Sequence, residues 1–386
     1  MTIRERDAVI VAASRSAVTR ASKGAFASTR PDDLAAAVCA QLLSDCGNPP
    51  VDEVLVGCGY PWGEQGYNVA RAITLLAGLP VSTAAATVSR LCASSLQALR
   101  MAHHAIAMGE CESVLVAGVE SFSRVGRDRH LAEPNPRLAA EADLGIDYYL
   151  PMVETAERVA RDYGVSRVDM DLFAQRSQER ALSAYQSGFF GREIVPLINA
   201  DGVVIDRDEG PRANSTLEKL SQLEPVVGGL VTAGNACPLN DGAVALLVMS
   251  PDAAAAHGAR PRARILGSSV AGVSPELMGI GPIPAVNMLL SRLGMAIADI
   301  DLVEVNEAFA AQVIPSVRGF GMDSDDPRLN ARGGAIAIGH PFGMTGGRLV
   351  TTLINGLEHD DKEVGLVTLC VGGGQGQAML IERIRS

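Results

Sequence analysis

Aromatic residues are scarce in this 386-residue chain, at 4% with one tryptophan, so its core must come from aliphatic and small side chains. No apolar run approaches the length of a membrane-spanning helix. The N-terminal "MTIRERDAVIVAASRSAV" carries charges and then a strand-length apolar run, without the apolar core and cleavage site of a signal peptide. A cytoplasmic protein is expected. Positive charge is not in excess: the net charge is −11 and the isoelectric point is near 5.1. That excludes a broad basic surface for nucleic acid or anionic membrane, and an anionic ligand would need a local basic patch. The seven cysteines (39, 46, 58, 92, 111, 237 and 370) contain no CxxC pair. Reduced thiols are therefore expected rather than a disulfide framework or zinc site. His103 and His104 stand mid-helix, and no metal site is expected. Glycine runs occur, but no strand–GxGxxG–helix unit with a following acidic residue, so a nicotinamide site lacks support.

What is present is a repeat. The first part reads as an apolar run at 8–13, an amphipathic helix at 32–46, a strand at 54–57 and a helix near 67–78. The segment "SRLCASSLQALR" (89–100) follows, leading through a helix to a strand at 113–118. The later part reads as a strand at 263–267, a helix at 284–294, a strand at 302–305 and a helix near 307–320. "GGAIAIGHPFGMTGGR" (333–348) follows, then a helix and a strand at 365–369. Leu55 precedes Cys92 by 37 residues, and Val303 precedes His340 by the same 37. A duplicated α/β unit is implied, with mixed, mostly parallel sheets. The expected division is 1–118 with 230–262 as the N-terminal half and 263–386 as the C-terminal half. Between them, 119–229 is more charged and broken by prolines. It reads as an inserted domain over the active face, or else as a surface excursion without function.

Open α/β sheets bind ligands beyond the carboxyl ends of their strands. Cys92, Asn306, His340 and Cys370 all fall there. Cys92 opens a helix, where unpaired N–H groups and the dipole favour a thiolate, yet a small buried residue suits the position equally. Cys370 runs onto Gly372, Gly373 and Gly374, whose backbone can present N–H groups to an oxygen, or simply form a turn. His340 sits between glycines and a proline, a setting that offers a structural histidine little packing. Asn306 alone reads more readily as a helix cap.

Taken in order, "RLCASSLQA", "GVESFS", "PMVETAERVA", "TAGNACPLNDGA", "MGIGPIPA", "NEAFA", "GGAIAIGHPFGMTGGR" and "CVGGGQG" resemble the thiolase family over essentially the whole chain. The resemblance implies a five-layer αβαβα fold with an inserted loop domain, assembled as a homodimer or homotetramer. It implies cleavage of a 3-ketoacyl-CoA by CoA, with coenzyme A as co-substrate and no permanently bound cofactor. On it, Cys92 is the nucleophile, Cys370 the acid and base, and His340 the activator of Cys92. Asn306 holds a water at the thioester oxygen, and the N–H groups of Cys92 and Gly372 form a second oxyanion hole. Arg212 lies near the CoA phosphates, and Cys237, Met152, Met278 and Phe309 line the pantetheine and acyl site.

The chain departs from the family's usual residues at Ser89 (Asn), Ser95 (Gly), Val153 (Gly) and Cys237 (Ser). Pro151 replaces the histidine of short-chain biosynthetic members, which favours a degradative, broader-range enzyme. Ser95 is expected to narrow the substrate range, to weaken activity, or to be absorbed by repacking. The alternatives are a condensing acetoacetyl-CoA enzyme and a catalytically weak acyl-CoA-binding subunit.

Overall fold

The computed structural model describes residues 7–126, 134–139, 142 and 144–385. The charged residues 1–6 that enter the leader-peptide argument lie outside them. In chain order the first half supplies β1 (Val9–Arg15), α1 (Pro31–Asp45), β2 (Glu53–Cys58), α2 (Val69–Leu76), β3 (Ala84–Val88), α3 (Ser94–Met108) and β4 (Ser113–Ser121). The intervening segment contributes α4 (Met152–Asp162) and α5 (Arg167–Gln186), before β5 (Asn240–Met249). The second half supplies β6 (Ala263–Gly272), α6 (Pro282–Leu293), β7 (Leu302–Val305), α7 (Ala310–Gly319), α8 (Phe342–His359), β8 (Val364–Val371) and β9 (Gln375–Arg383).

The strands form one path, β7-β8-β9-β6-β1-β5-β4-β2-β3. Its two sides follow the same rules. In the first, β1 runs antiparallel to β5, β5 antiparallel to β4, and β4, β2 and β3 are mutually parallel. In the second, β6 runs antiparallel to β9, β9 antiparallel to β8, and β8 parallel to β7. The counterpart of β3 shrinks to one parallel bridge between Val303 and Leu329. The duplication is therefore real at the level of strand pairing. The expected parallel majority is not: antiparallel ladders prevail, because β5 and β9 each return against the direction of their neighbours. The two sheets meet at a narrow seam, Val9 beside Arg264 and Ile10 beside Ala263.

Central strands are covered on both faces and read accordingly, with every residue of β4 and β5 buried. Between the sheets lies the α3–α8 layer, while α1 and α2 cover one outer face and α6 and α7 the other. The two central helices approach closely. A Cβ on Gly346 of α8 would come within 2.6 Å of the Leu96 nitrogen on α3. No helix among the described residues is long and apolar enough to cross a membrane.

Ser95 lies in this central layer, fully buried. Its hydroxyl accepts a hydrogen bond from the Gly347 N–H of α8 at 2.8 Å. Of the three outcomes expected for it, packing thus favours absorption: Gly57 and Gly118 leave room, and a Cβ at Gly118 would stand 2.7 Å from that of Ser95.

Candidate active site

Cys92 does not occupy a regular helical turn. It sits in a short 3-10 turn, Leu91–Ala93, immediately before α3. Leu91 adopts φ of 45°, a left-handed conformation that costs a branched side chain energy and is found where a site is held under constraint. Burial outweighs the helix-terminus effect. Cys92 is 6% exposed, and desolvation pushes its thiol up to about 12, against a donated hydrogen bond from the Gly372 N–H. Burial therefore favours the neutral thiol, against the pull of the helix start towards the thiolate.

Gly372 belongs to the turn between β8 and β9. In it Gly373 and Gly374 take φ of 76° and 82°, values a side chain would resist. A Cβ on Gly372 would lie 2.9 Å from Leu91 Cδ1, so the two turns are in contact. At the end of β8, Cys370 is 3% exposed and donates through Sγ to Gln312 Oε1 at 3.5 Å. Burial raises its thiol well above the ordinary value, and the charges of Cys92 and Cys237 raise it further. Cys237, anchored by its N–H to the Ala308 carbonyl at 3.0 Å, is raised in the same way and feels Cys92. Three thiols therefore share one poorly solvated site. Met278, Ala308, Met152 and Phe309 pack around Cys370 and Cys237 and supply its apolar lining.

His340 lies on the loop before α8, 1% exposed. Its backbone N–H donates to Asn240 Oδ1 at 3.0 Å, and its ring lies 4.7 Å from Phe342, which like Leu91 packs on the cluster of Tyr60, Phe122 and Val125. The ring's hydrogen bonds define its tautomer. The Thr345 hydroxyl donates to the Pro341 carbonyl at 2.7 Å, so Thr345 Oγ1 accepts from His340 Nδ1 at 2.7 Å. The other nitrogen, Nε2, then accepts from Asn306 Nδ2 at 3.2 Å. Burial and the charge of Arg348 pull the imidazole pKa down to about 3, so the ring is neutral. Asn306 is not a helix cap: α7 starts at Ala310, with Phe309 at its N-cap. Its Oδ1 is buried without a hydrogen-bond partner among the described residues, leaving one acceptor open.

A buried carboxylate ties the loop after β2 to the start of α8. Glu120 accepts from the N–H groups of Gly59 and Gly343, at 2.8 and 2.9 Å, and from Gln65 Nε2 at 2.6 Å. Its negative charge faces the N-terminus of α8, while burial raises its pKa to about 7. Glu307, the neighbour of Asn306, is a second brace, held by Ser177 Oγ at 2.6 Å and Asn330 Nδ2 at 2.7 Å.

Sequence reasoning placed Cys92, Cys370, Gly372, Cys237, Met152, Met278 and Phe309 in one region, and the structure gathers them. His340 and Asn306 join through the loop leading into α8. Arg212 is exposed and lines a groove that Ala236 and Pro238, the neighbours of Cys237, also line. Asn240, Thr345, Gln312 and Glu120 were missed. Asn240 and Thr345 lie inside quoted motifs, "TAGNACPLNDGA" and "GHPFGMTGG", whereas nothing in the local sequence distinguishes Gln312.

The duplicated α/β scaffold thus brings Cys92, Cys237 and Cys370 to one buried site, with His340 paired to Asn306 at the end of β7. The sequence patterns described as "Thiolase, N-terminal domain" and "Thiolase, C-terminal domain" match residues 8–252 and 259–383. The chain is 45% identical to a beta-ketoadipyl-CoA thiolase of Pseudomonas putida, over 98% of this chain and 100% of that protein. It is 42% identical to a 3-ketoacyl-CoA thiolase of Bacillus subtilis, over 98% and 99% of the two chains. The crystal structure of the dimeric peroxisomal thiolase of Saccharomyces cerevisiae superposes with a TM-score of 0.91 at 34% identity, covering 100% of this chain and 99% of that one. The chain belongs to the thiolase family and is an acyltransferase.

Proposed function

We propose that this enzyme cleaves 3-ketoacyl-CoA with coenzyme A through an acyl thioester on Cys92. One observation carries the assignment of roles: the turn that follows Cys370 packs on the turn that holds Cys92, a Cβ on Gly372 falling 2.9 Å from Leu91 Cδ1, and the Gly372 backbone acts to lower the Cys92 pKa. Cys92 and His340 rest as a neutral thiol and imidazole, so Cys92 passes its proton to His340 as its sulfur attacks the 3-keto carbon. The Gly372 N–H, with that of Cys92, stabilises the alkoxide that forms. The C2–C3 bond then breaks, its electron pair entering the enolate of acetyl-CoA. Asn306 and His340 favour that enolate at the thioester oxygen, and Cys370 donates its proton to C2. In the second half-reaction a CoA thiol gives its proton to the Cys370 thiolate and attacks the Cys92 thioester. The released Cys92 sulfur recovers its proton from His340. Coenzyme A is the co-substrate, and no resident cofactor enters these steps.

Relatives named for beta-ketoadipyl-CoA support a keto-acid chain among the substrates, beside the plain 3-ketoacyl chains suggested by the Bacillus relative. Degradative fatty-acid or keto-acid metabolism in the cytoplasm fits both. The chain also fits a homodimer. β3 ends the sheet with one side unpaired, beside the exposed Tyr67, Leu76 and Val81, and strand addition from a second copy would cover them.

Trapping with a labelled acyl-CoA tests the roles. The label belongs on Cys92, and Cys92→Ala abolishes acylation. Cys370→Ala still acylates from a simple acyl-CoA but loses thiolysis. Label on Cys370, or full thiolysis by Cys370→Ala, would reverse the assignment. Rates across C4 to C16 3-ketoacyl-CoAs and 3-ketoadipyl-CoA decide the substrate.

A further inference from the structure

A groove beside Cys237 is lined by two arginines from different parts of the chain. Arg212 lies in a loop of the inserted segment, its N–H donating to Gln178 Oε1 at 2.8 Å. Arg20 comes from the core, on the two-residue strand Thr19–Arg20 that pairs with Asn240 and Asp241. Its N–H donates to Glu209 Oε2 at 2.9 Å, and its guanidinium reaches the Glu209 carbonyl at 3.2 Å. Both arginines line the groove with Ser215 and Leu220, and so do Ala236 and Pro238, on either side of Cys237. Neither guanidinium has a carboxylate within ion-pair distance among the described residues. Arg20 is near enough to be felt by Arg212: burial and the charge of Arg20 together lower the Arg212 pKa. In a chain of net charge −11, two unneutralised cations facing one groove form the local basic patch that an anionic ligand requires.

We infer that Arg20 is a second phosphate-binding residue, which with Arg212 holds the phosphates of coenzyme A in the groove. This rests on the coenzyme A reading above. The core strand fixes Arg20 relative to the catalytic loops, because its partner Asn240 also holds the His340 N–H. A phosphate bound there sets how far the thiol end reaches towards Cys237 and Cys92.

The test compares a ligand bearing phosphates with one that lacks them. Arg20→Gln is expected to raise the KM for CoA about tenfold, the range for losing one charge-assisted hydrogen bond. Its KM for pantetheine, with S-acetoacetyl-pantetheine as the acyl donor, should move less than twofold. Arg20→Lys keeps the charge and should raise the CoA KM less than Arg20→Gln does. Titration calorimetry of CoA gives the same comparison without turnover: about tenfold weaker binding in Arg20→Gln, with a shallower salt dependence. An unchanged CoA KM and Kd, or equal increases for CoA and pantetheine, would overturn the assignment. Wild-type protein that binds CoA through Arg20 but turns over neither acyl donor would instead refute the catalytic reading alone.

Discussion

His340 Nδ1 lies 2.7 Å from Thr345 Oγ1, and that hydroxyl donates onward to the Pro341 carbonyl. The chain of two bonds places the histidine proton on Nδ1 and leaves Nε2 as the acceptor beside Asn306. Thr345→Val keeps the shape but removes the acceptor, stranding a buried N–H at a cost of about 1–3 kcal/mol. The expected result is a kcat lowered about tenfold or more, with nitrogen NMR showing a changed tautomer population. Wild-type kcat with an unchanged tautomer would refute the link.

The strained residue before the nucleophile gives a second prediction. Leu91 holds φ of 45° while its Cδ1 packs towards Gly372. Leu91→Val retains most of the apolar bulk but places a β-branched side chain in the left-handed region. A loss of about 1–2 kcal/mol in urea unfolding is expected, with a parallel fall in acylation rate, while Leu91→Met costs less. Equal stability of the two variants would remove strain from the account.

Ser95 is braced against the Gly347 N–H rather than turned towards substrate. Ser95→Ala is therefore expected to lower stability by about 1 kcal/mol while leaving the KM for acetoacetyl-CoA within twofold. A shifted chain-length profile in that variant would restore a specificity role.

The depressed imidazole pKa has a sign that unfolding can test. His340 falls from an ordinary 6.5 to about 3 on folding, so the unfolded chain binds the proton first on acidification. Its contribution to stability is complete above pH 6.5 and is lost as pH falls towards 3. Between pH 6.5 and 5 this amounts to about 2 kcal/mol, at 1.36 kcal/mol per unit. Denaturant unfolding of His340→Asn should show a correspondingly smaller loss over that interval. The same loss in both proteins would mean that His340 is protonated in the fold.

The open edge at β3 supplies the last prediction. Val81→Asp with Leu76→Asp adds charge to the exposed flank of that strand. Light scattering is expected to show wild-type dimer dissociating in this variant. A variant as dimeric as wild type would place the interface elsewhere.

Much of this protein is determined by its sequence alone. The repeated order of strands and helices, the motifs around Cys92, His340 and Cys370, and the family that these define are local patterns of apolar periodicity and turn chemistry. Local pattern does not carry the direction of a returning strand, so the antiparallel majority emerged only when β5 and β9 were seen against their neighbours. Protonation belongs to tertiary structure as well. A cysteine at a helix start reads as a thiolate until burial is counted, and burial is a property of the packed layers. Asn306 reads as a cap until His340, 34 residues away, arrives beside it. Thr345, Glu120 and Arg20 acquire meaning in the same way, because a hydrogen bond or a facing charge exists only once distant segments are brought within a few ångströms.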